Sequence, residues 1–567
     1  MQRLELTWIG KGEEPAVEPR ILLHDPSKDY GDPNTENMLI HGDNLLALKA
    51  LEQQYAGQVK CIYIDPPYNI NAANEHYTDF VENSKWLSLM SARLKCLKTL
   101  LADDGVIFVQ IDKEQNAYLK ILMDEIFGRN NYITTIAVRM STTSGYKIEH
   151  SDKTIVKNTE YLHVYAGQLT MKPIYEKTEY DDHYSYIMKP LNDNEDLFVM
   201  SSLIDEPAVI KAFDEVGIKP TTKNLQRLFN LSDTFKKYVY EQRNYIGRTH
   251  TAPASTKQDT DYLNSVLTDG KTVVKRIYGG DTYYIKSTNS GFNQYIPIGL
   301  KFNMVDSTND YSLQLSNILG DWWDGFYLDM GNVDNEGGVY FKNSKKPERL
   351  LFRIINNFTK PGDLVLDSFL GSATTAAVAH KLGRRYIGIE LGEHCYSLCI
   401  PRLQNVIDGD STGISSMISW KGGGGFKFYE LAPSLIEKDK YGNPVISNQY
   451  NSNMLIAAVA KLNGYSYAPD PDVFWKQGFS QDKSFIYVTT NYLDSKMLDS
   501  IASDLSGMES LLVCAPAFDI GLDKRYDNIQ VKKIPQSVLD KCEYGVDNYN
   551  LNVVEIPIID EEEWEDD

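Results

Sequence analysis

Two stretches of this 567-residue chain repeat one alternation of periods, and that alternation fixes the fold class. From Met38 to Gly128, short β-branched and aromatic runs alternate with leucine-spaced helical ones. MLIHG meets a turn at Gly42-Asp43-Asn44 and the helix NLLALKALEQQYAG. The strand VKCIYI, the helix KWLSLMSARLKCLKTLL up to Asp103-Asp104-Gly105, the strand VIFVQID and the helix QNAYLKILMDEIFG follow. The switch between periods of 2 and 3.6 separates the two kinds of element, and Asp43 or Asn44 supplies a helix cap. Far downstream, RLLFRIINNFTKPGDLVLDSFLGSATTAAVAHKLGRRYIGIELGEHCYSLCIPRL reads as helix, strand (LVLD), small-residue loop, helix, strand (YIGIE) and helix. Strand–helix–strand units of this length close by right-handed crossovers, so both blocks predict an α/β fold with a mostly parallel sheet.

In such sheets ligands sit beyond the carboxyl ends of the strands. The first block places Asp65-Pro66-Pro67-Tyr68 there. Proline fixes φ, lacks an N–H and keeps the preceding residue extended, so this corner is stiff and holds a carboxylate and a ring in one place. Asp-Pro-Pro is equally ordinary turn chemistry, and the tetrapeptide alone leaves both readings open. In the second block the loop SFLGSATT enters a helix N-terminus, where free N–H groups attract carboxylates and anions. Glu390 ends the next strand, where an acid can accept two hydrogen bonds from a ribose; a plain βαβ unit is the alternative.

Composition narrows the class. The chain has no apolar run of 18 residues and its first twenty residues lack a signal-peptide pattern, which places it in the cytoplasm without a membrane span. Six cysteines (61, 96, 395, 399, 514, 542) are too few for a disulfide framework. Cys395 and Cys399 share a helix face without a second ligand pair, so no metal is expected. The net charge of −21 argues against a nucleic-acid partner. Charge segregates, however: residues 210–250 carry eight basic against four acidic side chains. From charge alone, the wet face of a helix pair is the preferred account of that stretch.

Taken together, the two blocks resemble the amino methyltransferases of DNA in their β arrangement: catalytic half first, target recognition second, cofactor loop last. DSFLGSATT (367–375) resembles that family's Asp-x-Phe-x-Gly-Ser-Gly-Thr-Thr loop, with Ala373 standing where glycine is usual. HGDNLLAL, KKPERLL (345–351) and KNTEYLHVYA (157–166) resemble further family elements. GDWWDG (320–325) and Trp420 to Leu431 are similar to the Mod subunits of type III restriction-modification systems. The resemblance implies a Rossmann-like fold with S-adenosylmethionine held by Asp43, Lys346, Pro347, Asp367, Phe369, Gly371, Ser372, Thr374 and Glu390. It implies adenine-N6 methylation at Asp65, Pro66, Pro67 and Tyr68. The carboxylate of Asp65 and the carbonyl of Pro66 would draw the adenine amine out of conjugation, and Tyr68 would stack on a flipped base. Cytosine-N4 enzymes of the family usually carry Ser in place of this Asp. Double-stranded DNA, a second copy of the chain and a helicase-nuclease restriction subunit are the implied partners. A recognition module with weak or lost methylation, or an orphan methyltransferase, is the alternative.

The expected domains are an N-terminal arm (1–35), a catalytic half (36–166), a target-recognition region (167–340), a cofactor half (341–408), a connecting segment (409–442) and a C-terminal α/β domain (443–567). In the recognition region Arg227, Arg243, Arg248, Lys275 and Arg276 are candidate DNA contacts. Loops 71–80, with His76 and Tyr77, and 141–153 are long enough to cover a flipped base.

Overall fold

The computed structural model describes residues 5–12, 20–68, 83–142, 155–191, 194–251, 260–288, 291–341, 345–438, 444–447, 452–480 and 483–534. Loop 71–80, residues 143–153, Cys542 and the acidic tail lie outside the described residues. The chain divides into two compact units, Met1–Lys172 with Asp321–Asp567, and Pro173–Gly320.

The larger unit is built on an eleven-stranded sheet. Its parallel centre runs, in spatial order, Gly425–Leu431, Met38–His41, Arg385–Glu390, Leu364–Asp367, Val59–Ile64 and Leu101–Ile111. Thr159–Ala166 lies antiparallel between Leu101–Ile111 and Tyr132–Arg139. The central strands are apolar on both sides because helices cover both faces: Ile40, Ile62, Ile64, Val365 and Leu366 are all fully buried. The helix Asn83–Leu100 contributes Trp86, Met90, Leu94 and Leu97 at three- and four-residue spacing. Each such side chain contributes about 1.5–3 kcal/mol by leaving water.

Several boundaries differ from the sequence expectation. The first thirty-five residues are not a free arm, because Leu22–His24 and Tyr30–Gly31 pair with Gly425–Leu431. The segment 409–442 is likewise more than a connector, since it contributes that strand to the sheet. The glycines ahead of it form a turn: Gly422, Gly423 and Gly424 take φ of 88°, 107° and 82°. A Cβ on Gly422 would lie 2.6 Å from the Ile407 carbonyl. Residues 321–340 belong with the larger unit, where Trp322–Trp323 extends the sheet beside Tyr132–Arg139. Asp103 to Gly105 sit within the strand Leu101–Ile111 rather than ending the helix.

The C-terminal segment forms a five-stranded sheet with a parallel centre, Ser484–Val488, Ser510–Ala515 and Ile529–Lys533. Its helix Ser452–Leu462 buries Leu455, Val459 and Leu462 in a core shared with Ile21, Ala432 and Leu435. Lys461 donates to the Ala50 carbonyl, tying this sheet to the helix Asn44–Tyr55.

The smaller unit holds a closed six-stranded barrel, which its irregular-looking sequence does not announce. The strands Thr272–Tyr278 and Asp281–Thr288 meet at Gly279-Gly280, both at positive φ, as a two-residue hairpin requires. Three helices, Pro207–Val216, Leu225–Leu231 and Asp233–Glu241, share a separate apolar core.

Candidate active site

Four consecutive parallel strands carry an acid at or just past their carboxyl ends. Asp43 follows His41 by two residues, Glu390 and Asp367 end their strands, and Asp65 follows Ile64. Glu390 pairs with His41, Asp367 with Gly388, and Leu366 with Ile62, so the four carboxyls share one edge of the sheet. Burial, followed by the fields of Asp65 and Glu390, pushes the Asp367 carboxyl up to about 7, although Thr375 and the Phe369 N–H pull it back. An acid whose folded value exceeds its unfolded one binds more protons when folded. Its contribution to stability is therefore greatest at low pH and is lost as pH rises toward 7. Asp367→Asn removes that loss, so in ligand-free protein the melting temperature of the variant gains on wild type between pH 5 and pH 8, as scanning calorimetry reads directly.

The elbow is braced on every side. The prolines end the Val59–Ile64 strand, and Trp86 Nε1 donates to the Pro67 carbonyl at 2.8 Å. The Tyr68 hydroxyl lies 2.7 Å from Asp65 Oδ1 and 2.8 Å from Glu160 Oε2. Gln110 Nε2 donates to the same Glu160 oxygen at 2.5 Å, and the Tyr63 hydroxyl donates to Gln110 Oε1 at 2.6 Å. Lys346 places Nζ 2.8 Å from Asp65 Oδ2 and 2.9 Å from the Tyr68 hydroxyl. Burial raises the Asp65 carboxyl above its ordinary range against the pull of Lys346 and Tyr68. For Glu160 burial acts the same way, but Lys346, Gln110 and Tyr68 outweigh it and hold the carboxyl low. Asp65 and Lys346 side chains stay 19% and 13% exposed, so the elbow opens to solvent. Glu160 also lines a cleft of about 830 Å³ with Lys113, Lys157, Thr159, Tyr327 and Met330. Glu160, Gln110 and Tyr63 do not stand out in the sequence; the one signal is an acid within the strand-forming run TEYLHVYA.

The small-residue loop joins the elbow's edge. Asn44 Nδ2 donates to the Ser368 carbonyl at 2.7 Å, while Asp43 caps its own helix at Leu46 N and pairs with Arg93 at 3.1 Å. Asp43 thus holds the turn beside the loop. Glu390 accepts from Gly371 N at 2.7 Å and Gly392 N at 2.9 Å, so in this structure its carboxylate closes the loop. Phe369 is part-buried against the sheet core, Ser372 and Thr374 hydroxyls are 3.2 Å apart, and Pro347 precedes the helix Glu348–Phe358. Cys399 Sγ donates to the Gly371 carbonyl, so this cysteine braces the loop from behind. Ala373 takes φ 61° and is fully buried. A left-handed alanine costs about 1–2 kcal/mol, and its buried methyl returns about 0.8 kcal/mol. Ala373→Gly is therefore expected to move stability by less than about 1 kcal/mol in urea denaturation, with loop function intact.

The five candidate DNA contacts all fall in the smaller unit but on different elements. Arg227 is exposed on Leu225–Leu231, and Arg243 stacks on Tyr240. Arg248 pairs with Asp181 at 3.0 Å, and Arg276 lies over Tyr262 next to Lys275 on one barrel strand. Within the basic segment, Lys211, Lys236 and Lys237 pair along their own helices with Glu215, Asp233 and Glu241, as a solvated helix face does.

A mostly parallel sheet with an acidic elbow and a small-residue loop past the carboxyl ends of its strands is the architecture of doubly wound α/β proteins, which bind ligands at that end of the sheet. A family model described as DNA methylase matches residues 59–400. The chain is 37% identical over 413 residues to the "Probable type III restriction-modification enzyme HindVI Mod subunit" of Haemophilus influenzae, covering 70% of this chain and 54% of that protein. It is 26% identical to the EcoPI Mod subunit of Escherichia phage P1, covering 68% and 62%. It is 32% identical to the type II methyltransferase M.KpnI of Klebsiella pneumoniae, covering 62% and 78%. The chain belongs to the DNA methylase family. It spans about half of the length of the HindVI Mod subunit and about three fifths of that of the EcoPI Mod subunit. Among the described residues no helix is long and apolar enough to cross a membrane.

Proposed function

We propose that the chain transfers a methyl group from S-adenosylmethionine to N6 of an adenine flipped out of duplex DNA, as the modification and recognition subunit of a type III restriction-modification system. The observation that carries this reading is the placement of Asp65 and the loop 368–373 past the ends of two hydrogen-bonded strands. The HindVI and EcoPI relatives, both named as Mod subunits of type III restriction-modification enzymes, support the type III setting. A second copy of the chain and a helicase-nuclease restriction subunit are the partners this reading proposes.

The residues fit the cofactor. Ser368 Oγ is buried without a hydrogen-bond partner at the mouth of the loop, and the carboxyls of Asp65, Asp367 and Glu390 crowd one edge, as a cationic ligand with ribose hydroxyls requires. Asp43, Gly371, Ser372, Thr374 and Phe369 would complete its cradle. When bound, S-adenosylmethionine supplies a methyl group on a positively charged sulfur. Asp65 accepts one N–H of the target amine and the Pro66 carbonyl the other, which turns the nitrogen lone pair out of the ring. As the new N–C bond forms, Asp65 is the group placed to take the proton that nitrogen sheds. Tyr68, fixed through its hydroxyl, offers its ring face to the base, and the prolines keep these acceptors in place before reaction.

A stand-alone enzyme is the second reading, because the similar M.KpnI is named a type II methyltransferase; since the amine geometry is shared, its target could be cytosine N4. The test is to incubate the full chain with methyl-labelled S-adenosylmethionine and a methyl-free plasmid library of random sequence, then digest to nucleosides. Label in N6-methyladenine supports the proposal; label in N4-methylcytosine, or none, refutes it.

A further inference from the structure

The elbow holds one cation that amine activation does not call for. Both oxygens of Asp65 are engaged, Oδ1 by the Tyr68 hydroxyl and Oδ2 by Lys346 Nζ. The Lys346 ammonium, with N–H groups of its own, therefore occupies the position from which a target amine would donate. A second carboxylate waits beside it: Glu160 Oε2 is 3.4 Å from Nζ, beyond a full hydrogen bond but within reach of a small rotation of the lysine stem. Gln110, which donates to the same Glu160 oxygen, holds it in place for that move. A buried ammonium that loses its only partner is expensive, whereas one passed between two carboxylates is always compensated.

We propose that Lys346 is a mobile counterion of the acceptor site, which neutralises Asp65 between turnovers and moves onto Glu160 when the target amine donates to Asp65. This rests on the methyltransferase reading above and makes Lys346 and Glu160 positioning residues that act through Asp65. The titratable and charged groups facing Asp65 are Lys346, Glu160 and Tyr68, with Tyr63 and Asp367 beyond them and Lys157 acting on Glu160 and Lys346. Lys346 favours the ionised form of Asp65 and Glu160 disfavours it. Removing one or the other must therefore move the Asp65 titration in opposite directions.

The experiment is kcat/KM against pH for the full chain, with labelled S-adenosylmethionine and the random-sequence library. Cofactor affinity is measured alongside by calorimetry. Lys346→Met is expected to move the acidic limb up by about one pH unit or more, Glu160→Gln to move it down, and Lys346→Arg to restore it. Both charge-removing variants are expected to lose roughly 10- to 100-fold in kcat with cofactor affinity unchanged. If Lys346→Met does not fold, Glu160→Gln, which preserves shape, carries the test alone. An unmoved limb, two limbs moving the same way, or a Lys346 variant that loses cofactor affinity instead overturns the proposal. Wild type that methylates no DNA overturns the underlying reading and this inference with it. Active wild type with unmoved limbs overturns this inference alone.

Discussion

Asp65→Ala is expected to lower the rate of methyl transfer to DNA by roughly three orders of magnitude or more, while DNA and cofactor dissociation constants stay within a few fold. The carboxylate is the acceptor that turns the amine, and the elbow's rigidity comes from elsewhere: the two prolines, Trp86 on the Pro67 carbonyl, and Glu160 on the Tyr68 hydroxyl. Removing the carboxylate therefore removes chemistry and leaves shape, because Lys346 still has Glu160 as a partner. Single-turnover rates beside gel-shift affinities check this. A variant that loses binding in step with rate would assign Asp65 to architecture.

The largest stability effect is expected at Glu348→Ala. Glu348 is fully buried, with Lys381 at 2.8 Å and Arg402 at 2.9 Å, and its Oε2 also accepts from Ile414 N. Burial works against its charge, but the two cations hold its carboxyl below the ordinary range. Removing it takes from Arg402 the carboxylate it pairs with and leaves Asp410 as the carboxylate paired with Lys381, a loss of about 3–5 kcal/mol when one member of a buried network is deleted. The same deletion reaches the ligand site, since Arg402 donates to the Ser372 carbonyl at 3.0 Å and to Thr374 Oγ1 at 2.7 Å. Guanidinium denaturation should show the loss of midpoint, and calorimetry a weaker cofactor affinity. Glu348→Gln, which keeps the acceptor oxygen, should fall between the two in both measurements.

The sheet was legible because its signals are local. Alternating periods marked the strands and helices, and the prolines after Ile64 and the small residues after Asp367 marked two strand ends. The barrel was not legible, because its strands mix tyrosines, lysines and glycines and none is apolar enough to stand out from loop. Trp420 before the four glycines and the Phe-x-Phe-Tyr run after them mark a packed turn and a strand, and Ile407 and His380 do press on Gly422 and Gly424; what was not legible is that the strand Gly425–Leu431 joins the main sheet. The elbow illustrates the same divide. Asp65 and Tyr68 can be named from a tetrapeptide, whereas Glu160 and Lys346 become part of the site only when strands distant in sequence are folded together.

A structure of the full chain bound to S-adenosylhomocysteine tests the central claim most directly. The sulfur is predicted to lie between the loop 368–373 and the elbow, roughly 6–8 Å from an Asp65 oxygen, the span of an in-line S–C···N approach plus one N–H···O bond. A ligand seated instead at the C-terminal sheet, or with its sulfur turned away from Asp65, would contradict it.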